Sequence, residues 1–485
     1  MIRAYAVADV RDIEAVAMAG LAEGELMARA ARGLAEVVLD RLTQRGGRRV
    51  VALVGGGNNG GDALYAAAAL ARAGVATAAV CTAYQSAHQG GREAALDAGV
   101  VELDPAGPQW REILGEADVV IDGITGIGGR PGLSAQAREW VAAIPASAYV
   151  VAVDLPSGVD PAGRLGSADC VFADETVTFG VPKPCHLLPA SEPAVGRLTV
   201  VDIGLDVSGH EVAVERLTAQ DLAALWPLPT AQSDKYSRGV VGVVAGSGAY
   251  PGAGVLCVVG ALGAGPGMVR YRGPAAVAAL VQVHAPEAVT ATGRVQAWVL
   301  GSGVDPDDTD DEAQLRWISR ALDSDLPCVV DAGALALLAP RRAPTLITPH
   351  AGELARLLTR LGSDEVSRED VVASPVEYAQ RAADLLGAVV LLKGATTLVV
   401  SPSSAGRAIR SQSDAPPWLA TAGAGDVLAG ILGTLVAAGV DLVDAASMGA
   451  LVHGLAAQAA NPGGPVRALA VASQVPAVVA DLLTV

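Results

Sequence analysis

The sequence predicts an α/β protein built from two consecutive domains, each around a largely parallel sheet. Three observations carry that prediction. Short runs rich in Val, Ile and Leu alternate with Ala-rich stretches of helical length, the pattern of strands buried beneath helices on both faces. Glycine-rich turns follow several of these runs directly, as in "VVALVGGGNNGGDAL" and "VVIDGITGIGG". The runs also fall into two sets, each large enough for one sheet, separated by a stretch without that rhythm.

In the first set the strands read as 49–54, 75–81, 118–122, 149–154, 175–179 and 198–203. Residues 206–239 carry Pro227 and Pro229 and show no strand–helix alternation, and a long structureless connection inside one compact domain would be unusual. The boundary is therefore placed near residue 212, giving domains 1–212 and 213–485. In the second set the strands read as 240–245, 267–271, 296–300, 327–331, 344–348, 388–392 and 397–401. The acidic stretch "VDPDDTDDEAQ" at 304–314 reads as a solvent-facing loop that leads into a helix. Between Arg238 and Arg270 there is no charge, but many glycines and a Tyr-Pro turn divide that run into a strand, a loop and a helix rather than a membrane span.

At 485 residues and a formal net charge of −17, the chain has the size for two cores, and its acidity excludes a general nucleic-acid or anionic-membrane surface. The opening "MIRAYAVADVRDIEAV" shows no basic segment followed by an apolar core, so no secretory leader is expected. Cys81, Cys170, Cys185, Cys257 and Cys328 are scattered and form no metal-type pair, which suits thiols kept reduced in the cytoplasm. A homo-oligomer is the expected assembly.

The stretch "GGGNNGGDA" at 55–63 is a glycine turn from a strand into a helix, where backbone N–H groups at the helix's positive end suit an anion. It is neither a Walker loop nor a dinucleotide fingerprint, because no Lys-Ser or Lys-Thr follows and the glycine spacing differs. Asn58 and Asn59 add neutral carbonyl oxygens, which suit a weakly hydrated monovalent cation or a polar ligand edge. Asp62 has an alternative structural reading as the cap of the helix that follows. Two further strands end on Asp122, before a glycine-rich loop, and on Asp154, before Pro156 and Ser157. Ligands of open α/β sheets bind at the carboxyl ends of strands, so these three ends point to one crevice.

Taken together, "GGGNNGGDAL", "VVIDGITGIGG", "VAVDLPSGVD" and "TVTFGVPKP" resemble the NAD(P)HX epimerase domain over most of residues 1–210. The resemblance implies a Rossmann-like three-layer fold. It implies that Asn58, Asn59, Gly60, Gly61 and Asp62, the loop Gly126, Ile127, Gly128, Gly129, Arg130, Pro131 and Gly132, and Asp154 hold the hydrated dinucleotide. It also implies a K+ ion among Asn59, Asp122 and Ser157, and Asp154 as the acid/base for water leaving and returning at C6 of the damaged nicotinamide ring. The chain departs from the family's pattern at Ile127, where Thr is usual, and at Ala63, where Gly is usual.

In the second half, "ATAGAGDVLAGILGTLVAAG" opens a long apolar helix with glycines at 423 and 425 and puts Asp426 in its first turn. Backbone N–H groups there can stabilise a transferring phosphoryl group while the carboxylate takes a proton from an attacking hydroxyl. Lys393-Gly394 lies at a turn between two strands, and His350 and Glu353 follow another strand. The only lysines are Lys183, Lys235 and Lys393, each inside one of these motifs, which suggests compact ammonium groups at phosphate-like sites.

"DKYSRG", "YPGAG", "GSGVD", "TPHAGE", "LLKGATT" and "TAGAGD" together resemble the ADP-dependent NAD(P)HX dehydratase domain over most of residues 216–485. The resemblance implies a ribokinase-like α/β/α fold. It implies nucleotide held by Lys393, Gly394, Ala395, Thr396, Thr397 and Gly425, and substrate held by Ala253, Gly303, His350 and Asp426. ADP would be the phosphoryl donor, Mg2+ would neutralise its phosphates, and Glu353 would stand behind them. The whole chain then reads as a repair enzyme for NADHX and NADPHX. The alternatives are a ribokinase-like kinase whose phosphorylated product is stable, and an N-terminal domain that only binds or scaffolds.

Overall fold

The computed structural model describes residues 1–82, 87–307, 312–362 and 364–484; residues 308–311 of the acidic stretch lie outside them. Two compact units emerge, Arg3–Val214 and Glu215–Val485, the latter with Met1–Ile2.

The first unit holds a seven-stranded sheet in the spatial order Val101–Leu103, Ala76–Cys81, Arg49–Val54, Val119–Gly123, Tyr149–Val153, Glu175–Phe179 and Arg197–Val201. Every pair is parallel. The central strands alternate between two apolar faces, each covered by helices, and helix Asn58–Arg72 has an almost wholly buried first half. From Arg49–Val54 the chain first adds strands on one side and then returns to add Val119–Gly123 on the other. The order therefore reverses between these two strands, and their carboxyl ends splay apart into a crevice.

In the second unit the strands run Ile409–Gln412, Thr397–Val400, Val389–Leu392, Thr345–Ile347, Cys328–Val330, Ala297–Leu300, Val240–Val244 and Met268–Tyr271. Those from Val389–Leu392 to Met268–Tyr271 are parallel, and the last two additions are antiparallel. Helices Pro251–Gly263 and Ala424–Ala437 cross over the sheet with their backbones nearly touching: a Cβ on Gly430 would lie 2.1 Å from the Cys257 carbonyl oxygen. The uncharged run between Arg238 and Arg270 is a strand, a loop and a helix, as its glycines imply, and no helix among the described residues is long and apolar enough to cross a membrane.

The expected strands appear, most shifted or shortened by one or two residues. Four others do not stand out in the sequence: Ile2–Tyr5, Val101–Leu103, Val212–Arg216 and Ile409–Gln412. Each is at most five residues long and mixes apolar with polar side chains. The reading of residues 206–239 as free of strand and helix is corrected: they contain Val212–Arg216 and helix Ala219–Leu225, which Thr218 and Asp221 open with a capping box. Arg410, in a strand of sequence "IRSQ", is buried because Glu215 and Asp444 pair with it at 3.2 and 2.6 Å.

The contact between the two crossing helices gives a stability test. Gly430→Ala forces a methyl into a backbone carbonyl that cannot rotate aside, and is expected to cost about 1–3 kcal/mol or more in thermal or urea unfolding. Gly115→Ala, whose added Cβ meets nothing within 4 Å, is the control and is expected to be close to neutral.

Candidate active sites

The first crevice is built by backbone fit. A Cβ at Gly55 would sit 1.8 Å from the Ile124 carbonyl oxygen, so the two strand-end loops touch main chain to main chain. Gly57 (φ 82°) then turns the chain into helix Asn58–Arg72 without a side-chain cap, leaving the helix's leading N–H groups open. The result is a cavity of about 700 Å³ lined by Gly56–Asn59, Asp62, Ile124–Gly129 and Asp154, with Glu14, Met18 and Phe179 at its sides.

Behind the cavity wall lies an oxygen cluster. Asp122, with no solvent exposure, accepts from the Ser157 N–H (2.8 Å) and the Ser157 hydroxyl (2.6 Å), and burial pushes its carboxyl up to about 6. The Asn59 amide donates to the Thr125 carbonyl at 2.9 Å, and the Thr125 N–H donates to the Ser157 Oγ at 2.9 Å. Asn59, Asp122 and Ser157 are thus brought together, joined by the Thr125 carbonyl.

Asp154 is held differently. It adopts φ 64°, a strained value for a residue with a side chain. His186 explains how that turn is kept. The ring Nδ1 accepts from the Lys183 N–H at 3.0 Å, so Nε2 carries the proton and donates to the Asp154 carbonyl at 2.8 Å. Burial lowers the imidazole to about 4, which keeps it neutral for this role. The Asp154 carboxylate pairs with the wholly buried ammonium of Lys183 and accepts from the Thr178 hydroxyl at 2.9 Å. Burial alone would raise the Asp154 carboxyl, but Lys183 and the Thr178 hydroxyl outweigh it and hold it below the usual carboxylate range. Asp62 is the opposite case: desolvation, with Asp154 and Glu14 nearby, raises it well above that range, and its Oδ1 is buried with no partner.

Of the residues expected in this site, Asn58, Asn59, Asp62, Gly126 to Gly129 and Asp154 line the cavity. Gly60 and Gly61 are buried inside the helix, with Gly61 against His88. Arg130 and Pro131 are exposed, and Gly132 (φ 91°) donates its N–H to Gly158 at 2.8 Å. The capping alternative for Asp62 is excluded, because the helix begins at Asn58 and its N-cap Gly57 has no side-chain partner. Ala63 points away from the cavity and fills the space beside Gly123, while Ile127 lines it and receives Arg11 on its carbonyl at 3.1 Å. Lys183, flagged by lysine scarcity, lies here as the partner of Asp154. Glu14, Thr178 and Thr125 also belong to this region and were not singled out; nothing local marked them.

In the second unit, Asp331 ends strand Cys328–Val330 and gathers three donors: Lys393 Nζ (2.8 Å), Ser302 Oγ (2.9 Å) and Thr348 Oγ1 (2.8 Å). Lys393 also lies 3.7 Å from Glu353, and desolvation of its ammonium is outweighed by Asp331 and Glu353, which raise it. Asp426 occupies the first turn of helix Ala424–Ala437, opened by Gly423 (φ 87°) with no side-chain cap. Burial and the neighbouring Asp331 push Asp426 up to about 7, against the pull of Lys393 and a hydrogen bond from Ser302. A Cβ on Gly425 would touch Lys393 Nζ at 3.4 Å, so a glycine keeps this mouth open.

His350 caps helix Ala351–Arg360. Its Nδ1 accepts from the N–H groups of Gly352 (3.1 Å) and Glu353 (3.2 Å), so its proton sits on Nε2. The structural reading of His350 as a helix cap is thus met by one ring nitrogen, Nδ1. Gly303 (φ 65°) meets Ala253, whose methyl would be 2.4 Å from an added Cβ. Gly394 and Ala395 are exposed at the turn, Thr396 is buried, and Thr397 begins the next strand. The three lysines occupy different settings. Lys183 and Lys393 are held in carboxylate pairs, and Lys235 is exposed over the Tyr236 ring at 5.3 Å. Asp331 and Ser302 are the residues missed here; an aspartate at a strand end was the legible signal for the first.

A family model described as NAD(P)H-hydrate dehydratase matches residues 241–472, and one described as YjeF-related protein N-terminus matches residues 23–185. The chain is 43% identical to the bifunctional NAD(P)H-hydrate repair enzyme Nnr of Mycobacterium leprae, covering 95% of this chain and 94% of that protein. It is also 43% identical to the enzyme of the same name from Mycobacterium tuberculosis, over 91% of each. A solved structure of the ADP/ATP-dependent NAD(P)H-hydrate dehydratase of Bacillus subtilis, co-crystallised with ATP and Mg2+, superimposes with a TM-score of 0.50 at 26% identity, covering 56% of this chain and 99% of that one. The first unit's strand-end crevice, the second unit's cluster of Asp426, Asp331 and Lys393, two matching domain models and end-to-end similarity lead to one conclusion: the chain belongs to the bifunctional NAD(P)H-hydrate repair enzyme family.

Proposed function

We propose that residues 1–212 interconvert the R and S forms of NAD(P)HX and that residues 213–485 dehydrate the S form with ADP, giving NAD(P)H, AMP and phosphate. The observation that carries this reading is the carboxyl of Asp426, pushed up to about 7 at the open mouth of a helix beside Lys393. A group with that value is poised to take a proton near neutrality.

In dehydration, Asp426 takes the proton of the C6 hydroxyl and the oxygen attacks the terminal phosphorus of ADP, releasing AMP. The C6–O bond then breaks with departure of phosphate, and loss of a C5 proton restores the ring double bond. Lys393 and the helix N–H groups stabilise charge on the transferring group, Gly425 leaves room for it, and His350 offers Nε2–H to the substrate. Mg2+ would be held mainly by the nucleotide, with Glu353, beside Lys393, the carboxylate that could support it because Asp331 is already engaged, and it would supply charge neutralisation.

In epimerisation, hydroxide loss from C6 leaves an iminium stabilised by the ring nitrogen. Two carboxyls with opposed environments divide the work. Asp62, kept protonated by burial, gives the departing hydroxyl its proton; Asp154, kept ionised by Lys183, faces the cation and takes a proton from the water that returns. The buried Asp122 carboxylate, with the Ser157 hydroxyl beside it, the Thr125 carbonyl close by and no cationic side chain, fits K+, which would neutralise Asp122 and fix the 124–126 loop, with Asn59 turning its amide oxygen toward the ion in place of the N–H it gives Thr125. All five cysteines are free and buried, which suits a reducing cytoplasm.

Absorbance of reduced nicotinamide, starting from purified R-NADHX with ADP, tests both halves. Wild type should produce NADH, AMP and phosphate. Asp154→Asn and Lys183→Met should stop production from the R form while sparing the S form, and Asp426→Asn should stop both. A persistent phosphorylated product would favour the kinase alternative, and epimerisation untouched by Asp154→Asn would remove that residue's role.

The pH dependence has a definite sign. Asp426 must be ionised to act and its carboxyl is raised, so kcat/KM on S-NADHX should climb through an apparent pKa near 7. Lys393→Met, which removes a cation favouring the charged form, should move that midpoint upward. A flat profile between pH 6 and pH 8 would contradict the assignment.

For the ion, the raised carboxyl of Asp122 is ionised and unneutralised in the folded chain above about pH 6. At pH 8, K+ should therefore raise the thermal midpoint relative to choline at equal ionic strength. The difference should shrink at pH 5, where Asp122 is protonated, and vanish in Asp122→Asn.

A further inference from the structure

Away from the Asp426 cluster, the second unit has another cavity, of about 250 Å³, lined by Arg272, Gly273, Thr290, Gln314 and Trp317 among others. Three features separate it from a packing void. Gln314 is only 3% exposed and its orientation is fixed, because Nε2 donates to the Gly246 carbonyl at 2.6 Å; its Oε1 is left buried without a partner. Arg272 spends Nη1 on the Thr290 carbonyl at 2.5 Å, while Nη2 is buried and unpartnered. Its guanidinium lies 5.2 Å from the centre of the Trp317 ring, and no carboxylate among the described residues pairs with it.

An unsatisfied cationic donor and an unsatisfied acceptor buried at one cavity are costly unless a ligand completes both. The cavity also connects physically to the candidate active site. Gly246, which binds Gln314 through its carbonyl, donates its N–H to the Ser302 carbonyl at 2.7 Å, and the Ser302 hydroxyl touches Asp331. A Cβ on Gly273 would lie 2.1 Å from the Tyr271 hydroxyl, so the cavity carries no side chain at that position.

We propose that this cavity is a subsite for a ribose phosphomonoester, whose phosphate meets Arg272 Nη2 and whose hydroxyl donates to Gln314 Oε1 beside the Trp317 ring. This rests on the reading of the second unit as acting on a dinucleotide, and it makes Arg272 a determinant of preference for the 2′-phosphorylated substrate. A separate free nucleotide carries the same chemistry, and the experiment distinguishes the two sources.

Calorimetric titration of the full chain with 2′-AMP, without any turnover, reads the subsite directly. Wild type should bind 2′-AMP more tightly than adenosine. Arg272→Gln should weaken 2′-AMP by about 10- to 100-fold, the range for a hydrogen bond to a charged group, and Gln314→Leu by a smaller factor. Arg272→Lys, which keeps the charge but not the forked donor, serves if the glutamine variant fails to fold and should also weaken binding. In steady-state kinetics, a raised KM for NADPHX with that for NADHX unchanged assigns the phosphate to the substrate; unchanged KM values with lost 2′-AMP binding assign it to a free nucleotide. Absence of 2′-AMP binding to wild type, or equal binding by all variants, overturns the subsite. Failure of dehydration alone would instead strike the reading of Asp426, because the titration needs no catalysis.

Discussion

Carboxylates taken out of water at the carboxyl ends of parallel strands are the constraint on which both halves of this chain depend. Burial disfavours the charged form, and what the surroundings do about it sets each group's use. Asp154 receives an ammonium, a hydroxyl and a neutral imidazole that holds its backbone, and stays ionised. Asp62 receives nothing for one of its oxygens and is raised. Asp122 has hydrogen bonds but no cation, and Asp426 sits between a repelling Asp331 and an attracting Lys393. One residue type, placed four ways, gives a carboxyl held below its usual range, one raised well above it, one raised to about 6 and one raised to about 7.

Such placement needs backbones to approach more closely than side chains permit. Gly55 against Ile124 lets the two loops of the first crevice share one wall, and Gly430 against Cys257 seats the helix that presents Asp426. These glycines act at a distance from the chemistry: they fix where the strand ends and helix mouths lie, and the carboxylates inherit their separation from that packing. A looser fit would admit water and weaken the differences between the four carboxyls, because screening by solvent reduces every term that sets them apart.

Much of this was legible in the sequence because it follows from short-range rules. Long apolar runs ending in Gly, Asn or Asp identified the central strands and the first unit's crevice, and the quoted motifs carried the family. Short polar strands such as Ile409–Gln412 were not legible, since their burial comes from partners roughly 34 to 195 residues away in the chain. The roles of Lys183 and Asp331 were obscured for a related reason. A sequence shows that a lysine is rare or that an aspartate ends a strand, but only the fold shows Lys183 buried against Asp154, or Asp331 satisfied by Ser302, Thr348 and Lys393.

The lysines make the physical point most clearly. The chain uses arginine for nearly every cation, and arginine's planar fork suits exposed or bidentate pairs such as Arg41 with Glu175. At Asp154 and Asp331 the carboxylate must share its oxygens with hydroxyls from Thr178, or from Ser302 and Thr348, leaving room for a compact ammonium but not for a fork. A point charge there neutralises the carboxylate without covering the cavity beside it. Each retained lysine therefore leaves a second carboxyl, Asp62 in one crevice and Asp426 in the other, close enough to feel the pair's field and only partly compensated by it. That incomplete compensation leaves both carboxyls raised, Asp62 well above the usual carboxylate range and Asp426 to about 7.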